Sequence, residues 1–425
     1  MKKTLLILTF LIYNIINAQN VYIPDLNFKN QVLLFFDANG DNEIQISEAE
    51  NIVNLYISSL EIHDLTGIEY FTNLSLLDCK YNSISTLDVS SNTNLTTLDC
   101  EHNLLTSLDV SNNLNLDILS CGNNSLTILN INDSLRILNC SSNVLTTLDL
   151  SNHSNLYQLY CNLNHLNTLN IGNCNNLYRL DCSNNLLNTL DVYNLPNLKY
   201  FSCNGNSINT LDINNSQLSF LNCENNSLIS INVNSNLNRL FCSNNLLSTL
   251  DVSNYSNLEY LWCDNNLLNT LDVSYAIQLF DLKCGNNAYL EYLNLRNGNN
   301  TNMSVFANNT PNLSNICIDD VNNSDFIDDI LTSVGHDIDF TENCTLSTSE
   351  NTLLDFSVYP TPTENILNIK LKTEITKIEI YSKLGQLIIN TTENKIDISN
   401  LTQGLYFVKV EDVNGNFGVK KIVKK

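Results

Sequence analysis

Eleven cysteines, from Cys79 to Cys284, recur at steps of 19 to 21 residues, and each is followed three residues later by an asparagine. One unit reads Leu95-x-x-Leu98-x-Cys100-x-x-Asn103-x-Leu105-x-x-Leu108-Asp109-Val110-Ser111, and the next, from Leu116 to Leu126, copies it almost position for position. A fixed period of about 20 residues with constant apolar positions predicts a solenoid, in which each repeat buries its core only against its neighbours. Leu98 and Cys100 alternate with Thr97, Asp99 and Glu101, the period of a short strand with one face buried. Strands of successive repeats are then predicted to stack in parallel. The asparagine after each strand carries two donors and an acceptor, enough to satisfy backbone groups that the turn leaves unpaired. Opposite the strand, Leu-Asp-Val-Ser segments such as Leu108–Ser111 and Leu250–Ser253 predict a second short extended piece, because the repeat is too short for a helix and Val, Ser and Asn disfavour one. The Asp of these segments is placed on the convex side.

This unit resembles the leucine-rich repeat, L-x-x-L-x-L-x-x-N/C-x-L, with cysteine in place of the third leucine, over roughly residues 52–320. The resemblance implies a parallel β ladder with turns on the convex side and a role in binding. The cysteines read as core, since a free thiol behaves as a small apolar side chain. Their number is odd and no Cys-x-x-Cys occurs, which argues against pairing or zinc. Cys174 falls outside this register and is expected in a loop as an exposed thiol. Cys317 and Cys344 lie beyond the array, and in an exported protein a disulfide between them is expected.

Lys2 and Lys3 precede an apolar run from Leu5 to Ile16, with Ala18 at a cleavage position, so residues 1–18 read as a secretory signal peptide. No later segment is apolar over the length of a membrane span. Residues 19–350 hold 8 Lys and Arg against 36 Asp and Glu, net −28, whereas residues 351–425 hold 10 Lys against 8 acids, net +2. So acidic a body repels nucleic acid and anionic lipid. The change near residue 350 marks a boundary. Beyond it, Phe356-Ser-Val-Tyr-Pro360-Thr-Pro362, Ile380-Tyr381, Gly385-Gln386, Leu401-x-x-Gly404-x-Tyr406 and the closing Lys420-Lys-Ile-Val-Lys-Lys425 resemble the type A C-terminal sorting domain of the type IX secretion system. Thr361 stands where that family often has Asn. The resemblance implies an all-β, Ig-like sandwich. It also implies export by the type IX machinery of a Gram-negative cell, to the medium or the outer-membrane surface. The expected order is thus a signal peptide (1–18), an N-terminal cap (19–60), the repeat array (61–290), its C-terminal cap (291–346), a linker (347–352) and the sorting domain (353–425).

Within the N-terminal cap, Asp37 to Glu48 resembles the twelve-residue EF-hand loop. That resemblance implies one structural calcium ion on Asp37, Asn39, Asp41, the Glu43 carbonyl, Gln45 and Glu48. Asn42 replaces the usual sixth-position Gly and must take a positive φ. Pro24-Asp25 predicts a helix through Phe36, and Ser47-x-x-Glu50 a cap for the helix that follows.

No nucleophile elbow, His-Glu-x-x-His or phosphate-cradling glycine loop is present, and the five histidines share no ligand spacing, so no enzymatic activity is assigned. The residues flanking each Leu and Cys form the concave face. From the fifth repeat on they become aromatic and cationic: Tyr160, Arg179, Tyr200, Phe220, Arg239, Phe241, Tyr260 and Trp262, the chain's one tryptophan. Such side chains dominate binding hot spots and stack on sugars, but they also stabilise adjacent strands. The favoured expectation is adhesion or protein–protein contact through this face, with a glycan on a cell or matrix surface, or a structural surface role without a single ligand, as alternatives.

Overall fold

The computed structural model describes residues 19–213, 217–233, 237–344, 356–382, 387–413 and 417–425. The signal peptide and the linker lie outside the described residues. The chain divides into two compact units at Cys344/Thr345.

The first unit is the solenoid. Thirteen three-residue strands, from Asn54–Tyr56 to Ser304–Phe306, form one parallel sheet in which each pairs with the next in unbroken register. At about 4.8 Å per step the sheet runs close to 60 Å. It extends beyond the expected array at both ends, since residues 54–56 and 304–306 carry the strand without the cysteine. The central residue of each strand is buried and its neighbours face out, as in Thr97–Asp99. The second extended row is also present as short parallel pieces, such as Ser107–Asp109 with Ile128–Asn130 and Thr210–Ile213 with Ser230–Val233. The Asp at its turn accepts from the amide two residues on. Asp109 takes both the N–H of Ser111 (3.0 Å) and its hydroxyl (2.7 Å), which hold the carboxyl below its usual range.

All eleven ladder cysteines are buried, and the asparagines form a second ladder against them. Asn103 Oδ1 accepts the N–H of Ile84 one turn earlier (3.0 Å), while its Nδ2 donates to the carbonyls of Cys79 (3.1 Å) and Cys100 (3.2 Å). From Cys79 to Cys263 each cysteine carbonyl accepts two amides, its own repeat's and the next one's. The residue before each asparagine is left-handed, as at Tyr81 (φ 55°), His102 (52°), Asn123 (52°) and Leu163 (56°). Only Gly, Asn and Asp take that region readily, which explains the Asn-Asn doublets at 123–124, 184–185, 225–226, 244–245, 265–266 and 286–287.

Cys174 corrects the expectation of an exposed thiol: it is fully buried, its sulfur 3.4 Å from the Leu150 carbonyl. It occupies a further internal column, at the turn before the strand, whose other occupants include Asn92, Asn113, His153, Tyr255 and Ala276. In each, the N–H bonds the carbonyl three residues back, as Cys174 N–H does to Ile171.

The N-terminal cap seals the first turn. Helix α1 (Leu26–Phe36) starts at Asp25, whose Oδ1 caps Asn27 and Phe28 (both 3.0 Å) and whose Oδ2 accepts from His63 (2.8 Å) in the first repeat. Burial opposes ionisation of Asp25, but these backbone bonds keep its carboxyl below the usual range. Gln45, rather than Ser47, caps the short α2 (Ile46–Ala49), and Glu48 returns a bond to the Gln45 N–H. Residues 21–23 lie against Gly67 (φ 107°), where a Cβ would stand 2.8 Å from the Tyr22 carbonyl. At the other end, α3 (Ser324–Val334) buries Phe326, Ile330 and Val334 against the last turn. Cys317 and Cys344 are joined by a disulfide, their Cα atoms 5.4 Å apart.

The second unit is antiparallel and all-β. One sheet holds Ser357–Tyr359, Ile366–Lys370 and Lys395–Asp397; the other holds Leu387–Thr391, Ile375–Ser382, Gly404–Asp412 and Phe417–Lys424. Leu367, Ile369, Ile378, Ile380, Ile396, Val408, Val410 and Ile422 form the core around Phe356.

Candidate functional site

The outward face of the long sheet joins the predicted aromatics into a stripe and extends it. Ring centroids follow one another from Tyr157 to Tyr178 (5.0 Å), Tyr200 (5.4 Å), Phe220 (6.5 Å), Phe241 (5.6 Å) and Trp262 (4.3 Å). Successive rings come from different strand positions. Tyr157 and Tyr178 stand just before the strand, Tyr200 and Phe220 at its first residue, and Phe241 and Trp262 at its third. The stripe therefore crosses the sheet diagonally over six strands, roughly 24 Å along the solenoid.

Cations lie on these rings. Arg179 Cζ sits 5.2 Å from the Tyr160 centroid and 6.0 Å from that of Tyr200, and Arg239 Cζ is 4.7 Å from that of Tyr260. Lys283 Nζ is 3.6 Å from the centre of the Trp262 ring, whose Nε1 donates to Asp281 Oδ2 (3.0 Å). Tyr260 stands off the stripe and packs edge-on against Phe280 (4.5 Å). Six of the eight basic residues of the body, Lys80, Arg136, Arg179, Lys199, Arg239 and Lys283, lie on or beside this sheet although acids outnumber them elsewhere. Lys80 is paired with Asp78 and Asp99, and Arg136 with Asp117. Among the described residues the other four make no ion pair. Two carboxylates on the far side of the strands are half-buried. Burial, and then Asp99, pushes Glu101 up, while burial, and then Asp264, does so for Glu224.

All eight predicted face residues stand on this surface; Tyr157, Tyr178, Lys199, Phe280 and Lys283 were missed. Three of the five carry a signal in the sequence, a ring two residues before the strand's central leucine: Tyr157 before Leu159, Tyr178 before Leu180, Phe280 before Leu282.

In the N-terminal loop, Asp37 accepts the amides of Gly40 (2.8 Å) and Asn42 (3.0 Å), the latter at φ 62°. Glu48 accepts those of Ala38 (2.9 Å) and Gln45 (3.0 Å). Gln45 Nε2 donates to Asp41 Oδ2 (2.9 Å), Asn39 Nδ2 donates to Gln45 Oε1 (2.7 Å), and the Glu43 carboxylate pairs with Lys29 (2.8 Å). Burial opposes it, but the Glu43 amide and the Gln45 and Asn39 side chains hold the Asp41 carboxyl below its usual range. Among the described residues no three His, Cys, Asp or Glu side chains converge closely enough to hold a metal ion.

Comparison with known proteins agrees with this architecture. Residues 357–425 match the secretion-system C-terminal sorting domain family. Internalin J of Listeria monocytogenes is 37% identical over 73 residues, which are 17% of this chain and 8% of that protein, so the match spans only a small part of that relative. The functional domain of InlJ from L. monocytogenes, described as including a cysteine ladder, superposes with a TM-score of 0.59 at 28% identity, covering 96% of this chain and 98% of that domain. A chain of the LRIM1/APL1C complex superposes with a TM-score of 0.50 at 21% identity over 63% of this chain and 52% of that one, a likeness in fold alone. The sorting domain marks a protein for secretion, and among the described residues no helix is long and apolar enough to cross a membrane.

Proposed function

We propose that this secreted leucine-rich-repeat protein is an adhesion module that docks a protein partner on the diagonal aromatic stripe of its long sheet. The observation that carries this reading is the continuous stripe of six rings, with Arg179 and Lys283 lying over rings within it. Large rings held against one another bind with little loss of side-chain entropy, and Trp, Tyr and Arg are the residues on which interface energy concentrates. Charge polarity favours a polypeptide. Between residues 179 and 243 the strand entrances carry Arg179, Lys199 and Arg239, whereas the exits carry Asp181 and Glu224. A surface with opposite signs on its two edges complements a segment that is likewise two-signed. Nothing in the arrangement assembles a nucleophile with a base, so recognition without turnover is the function assigned.

The test is binding of the secreted chain to matrix proteins and whole cells, with a Phe241→Ala/Trp262→Ala variant alongside. Loss of a hot-spot pair weakens binding by about 30-fold or more in the still-folded variant. Equal binding by both proteins would remove the stripe from the interface.

The Asp37–Glu48 loop is proposed as a structural calcium site that locks the cap to the first repeat. Its oxygen-rich donors are of the kind calcium takes, and the reading requires the Asn39 and Gln45 amides to turn so that oxygen replaces nitrogen. Millimolar calcium is expected to raise the melting temperature by a few degrees, with Asp37→Ala abolishing the gain. An unchanged melting temperature would discard the site.

A further inference from the structure

At the near end of the stripe the flank of the solenoid opens into a trough of about 700 Å³, lined among others by Arg136, Tyr157, Asn176, Tyr178, Asn197 and Lys199. We propose that this trough, which shares Tyr157 and Tyr178 with the stripe, is a binding site for a neutral, hydroxyl-rich linear glycan. Tyr157 and Tyr178 form its apolar wall, their rings stacked on one another almost in parallel (7°) with centroids 5.0 Å apart, a rigid pair whose electropositive ring edges suit hydroxyl oxygens. Beside them stand two acceptors fixed in advance. Asn176 Nδ2 donates to the Ser154 carbonyl (3.0 Å) and Asn197 Nδ2 to the Asn175 carbonyl (2.9 Å), and among the described residues neither Oδ1 receives a hydrogen bond. The two amides are one strand step apart, about 4.8 Å, close to the length of one pyranose unit in a linear glycan. Lys199 supplies donors: it makes no ion pair among the described residues and holds its Nζ 5.9 Å from the Tyr200 centroid.

Charge sets the class of glycan. Arg136 is already neutralised by Asp117 through a two-pronged pair, Nε to Oδ1 (3.2 Å) and Nη2 to Oδ2 (2.9 Å). One remaining lysine does not outweigh a body of net −28, which repels a polyanion. Rings, amide acceptors and an ammonium donor suit hydroxyl groups instead. The trough takes in the first two rings of the stripe, whereas Trp262, at the stripe's other end, lies five strands away, roughly 24 Å.

The test is calorimetric titration of the full secreted chain with four hexasaccharides: β-1,4-linked glucose, mannose and N-acetylglucosamine, and the acidic oligogalacturonate. At least one neutral hexasaccharide should bind, with its affinity unchanged within roughly twofold in about 0.5 M salt. Tyr157→Ala/Tyr178→Ala should weaken it by about tenfold and Asn176→Ala by about threefold, with Trp262→Ala leaving it within roughly twofold. Asn176→Ala is surface-exposed and keeps the question open to decision if the tyrosine variant fails to fold. Four results would each overturn the proposal: no neutral hexasaccharide bound by folded wild type; tightest binding to oligogalacturonate, lost in salt; binding unmoved by the trough variants; or equal loss in Trp262→Ala. Trp262→Ala bears on the protein-docking reading alone, so either reading can fail without the other.

Discussion

Two buried columns run the length of the same solenoid and are built on opposite rules. The column after the strand is almost invariant, cysteine then asparagine eleven times over, and every asparagine amide bonds the same three kinds of backbone group. The column before the strand holds Asn92, Asn113, His153, Cys174, Tyr255 and Ala276 in equivalent turns. Some of these bond a carbonyl: Asn113 Nδ2 donates to Val89 and Asn92 carbonyls (2.9 and 3.0 Å), and Tyr255 OH to Val233 (3.2 Å). His153, buried as deeply, has no hydrogen bond at either ring nitrogen among the described contacts. Where the backbone turn leaves groups unpaired, one side chain suits and the repeat preserves it. Where the turn satisfies itself through its own three-residue bond, the position needs only volume.

Alkaline pH is the harshest test of the invariant column. Burial pushes Cys140 and Cys284 up to about 12, and Cys174 of the mixed column to about 11, from an ordinary value near 9. For the other nine ladder thiols burial pushes in the same direction. A raised thiol contributes its full stability below pH 9 and loses it as pH climbs towards the folded value, because only the unfolded chain then releases its protons. Each thiol loses about 1 kcal/mol between pH 9 and 10, so the whole set loses on the order of 10 kcal/mol, comparable with the stability of a folded domain. The urea midpoint should collapse over that interval, with the unpaired thiols unreactive to alkylation until it does. A flat urea midpoint up to about pH 10.5 would mean the ladder is not buried as a set.

The second test separates the columns. Asn143→Ala strands the Leu126 N–H, bonded at 2.8 Å, and takes an amide from the carbonyls of Cys121 and Cys140 (both 3.1 Å). A buried group left unpaired costs about 1–3 kcal/mol, so the whole change is expected to cost roughly 3–4 kcal/mol. Cys174→Ala removes one soft contact from a column that already holds Ala276, and should cost only about 1 kcal/mol. Equal losses in urea unfolding would erase the distinction.

The same contrast governs what was legible in the sequence. The strand ladder, the buried thiols and the work of the asparagine all follow from an invariant spacing. The mixed column is invisible to pattern, because Asn, His, Cys, Tyr and Ala share no chemistry, and so Cys174 looked like a stray. The binding stripe was half legible. Period-two reasoning finds residues flanking the buried Leu and Cys, and so places Tyr200, Phe220, Phe241 and Trp262. Tyr157 and Tyr178 enter one residue before the strand begins, where that alternation has not yet started. The capping of α2 was misplaced by two residues because both Gln45 and Ser47 precede a suitably spaced Glu, and only the chain's entry angle selects Gln45.

A finer version of the contrast lies within the invariant repeat, at the left-handed residue before each asparagine. Asn123, Asn225 and Asn265 tolerate that backbone, whereas Leu163 holds it at φ 56° with half its surface exposed. A branched side chain in this region costs roughly 1–2 kcal/mol, and Asn relieves part of it through local hydrogen bonding. Leu163→Asn should therefore stabilise the array by about 0.5–1 kcal/mol, a rise of one to three degrees in melting temperature for a unit of this size. The reverse change, Asn123→Leu, should cost a similar amount. Because both sites are exposed, burial contributes little to either figure, and backbone conformation is left as the cause. If Leu163→Asn proved neutral while Asn123→Leu still destabilised, the asparagine doublet would be held by its amide contacts, and the left-handed turn would place no demand on residue type.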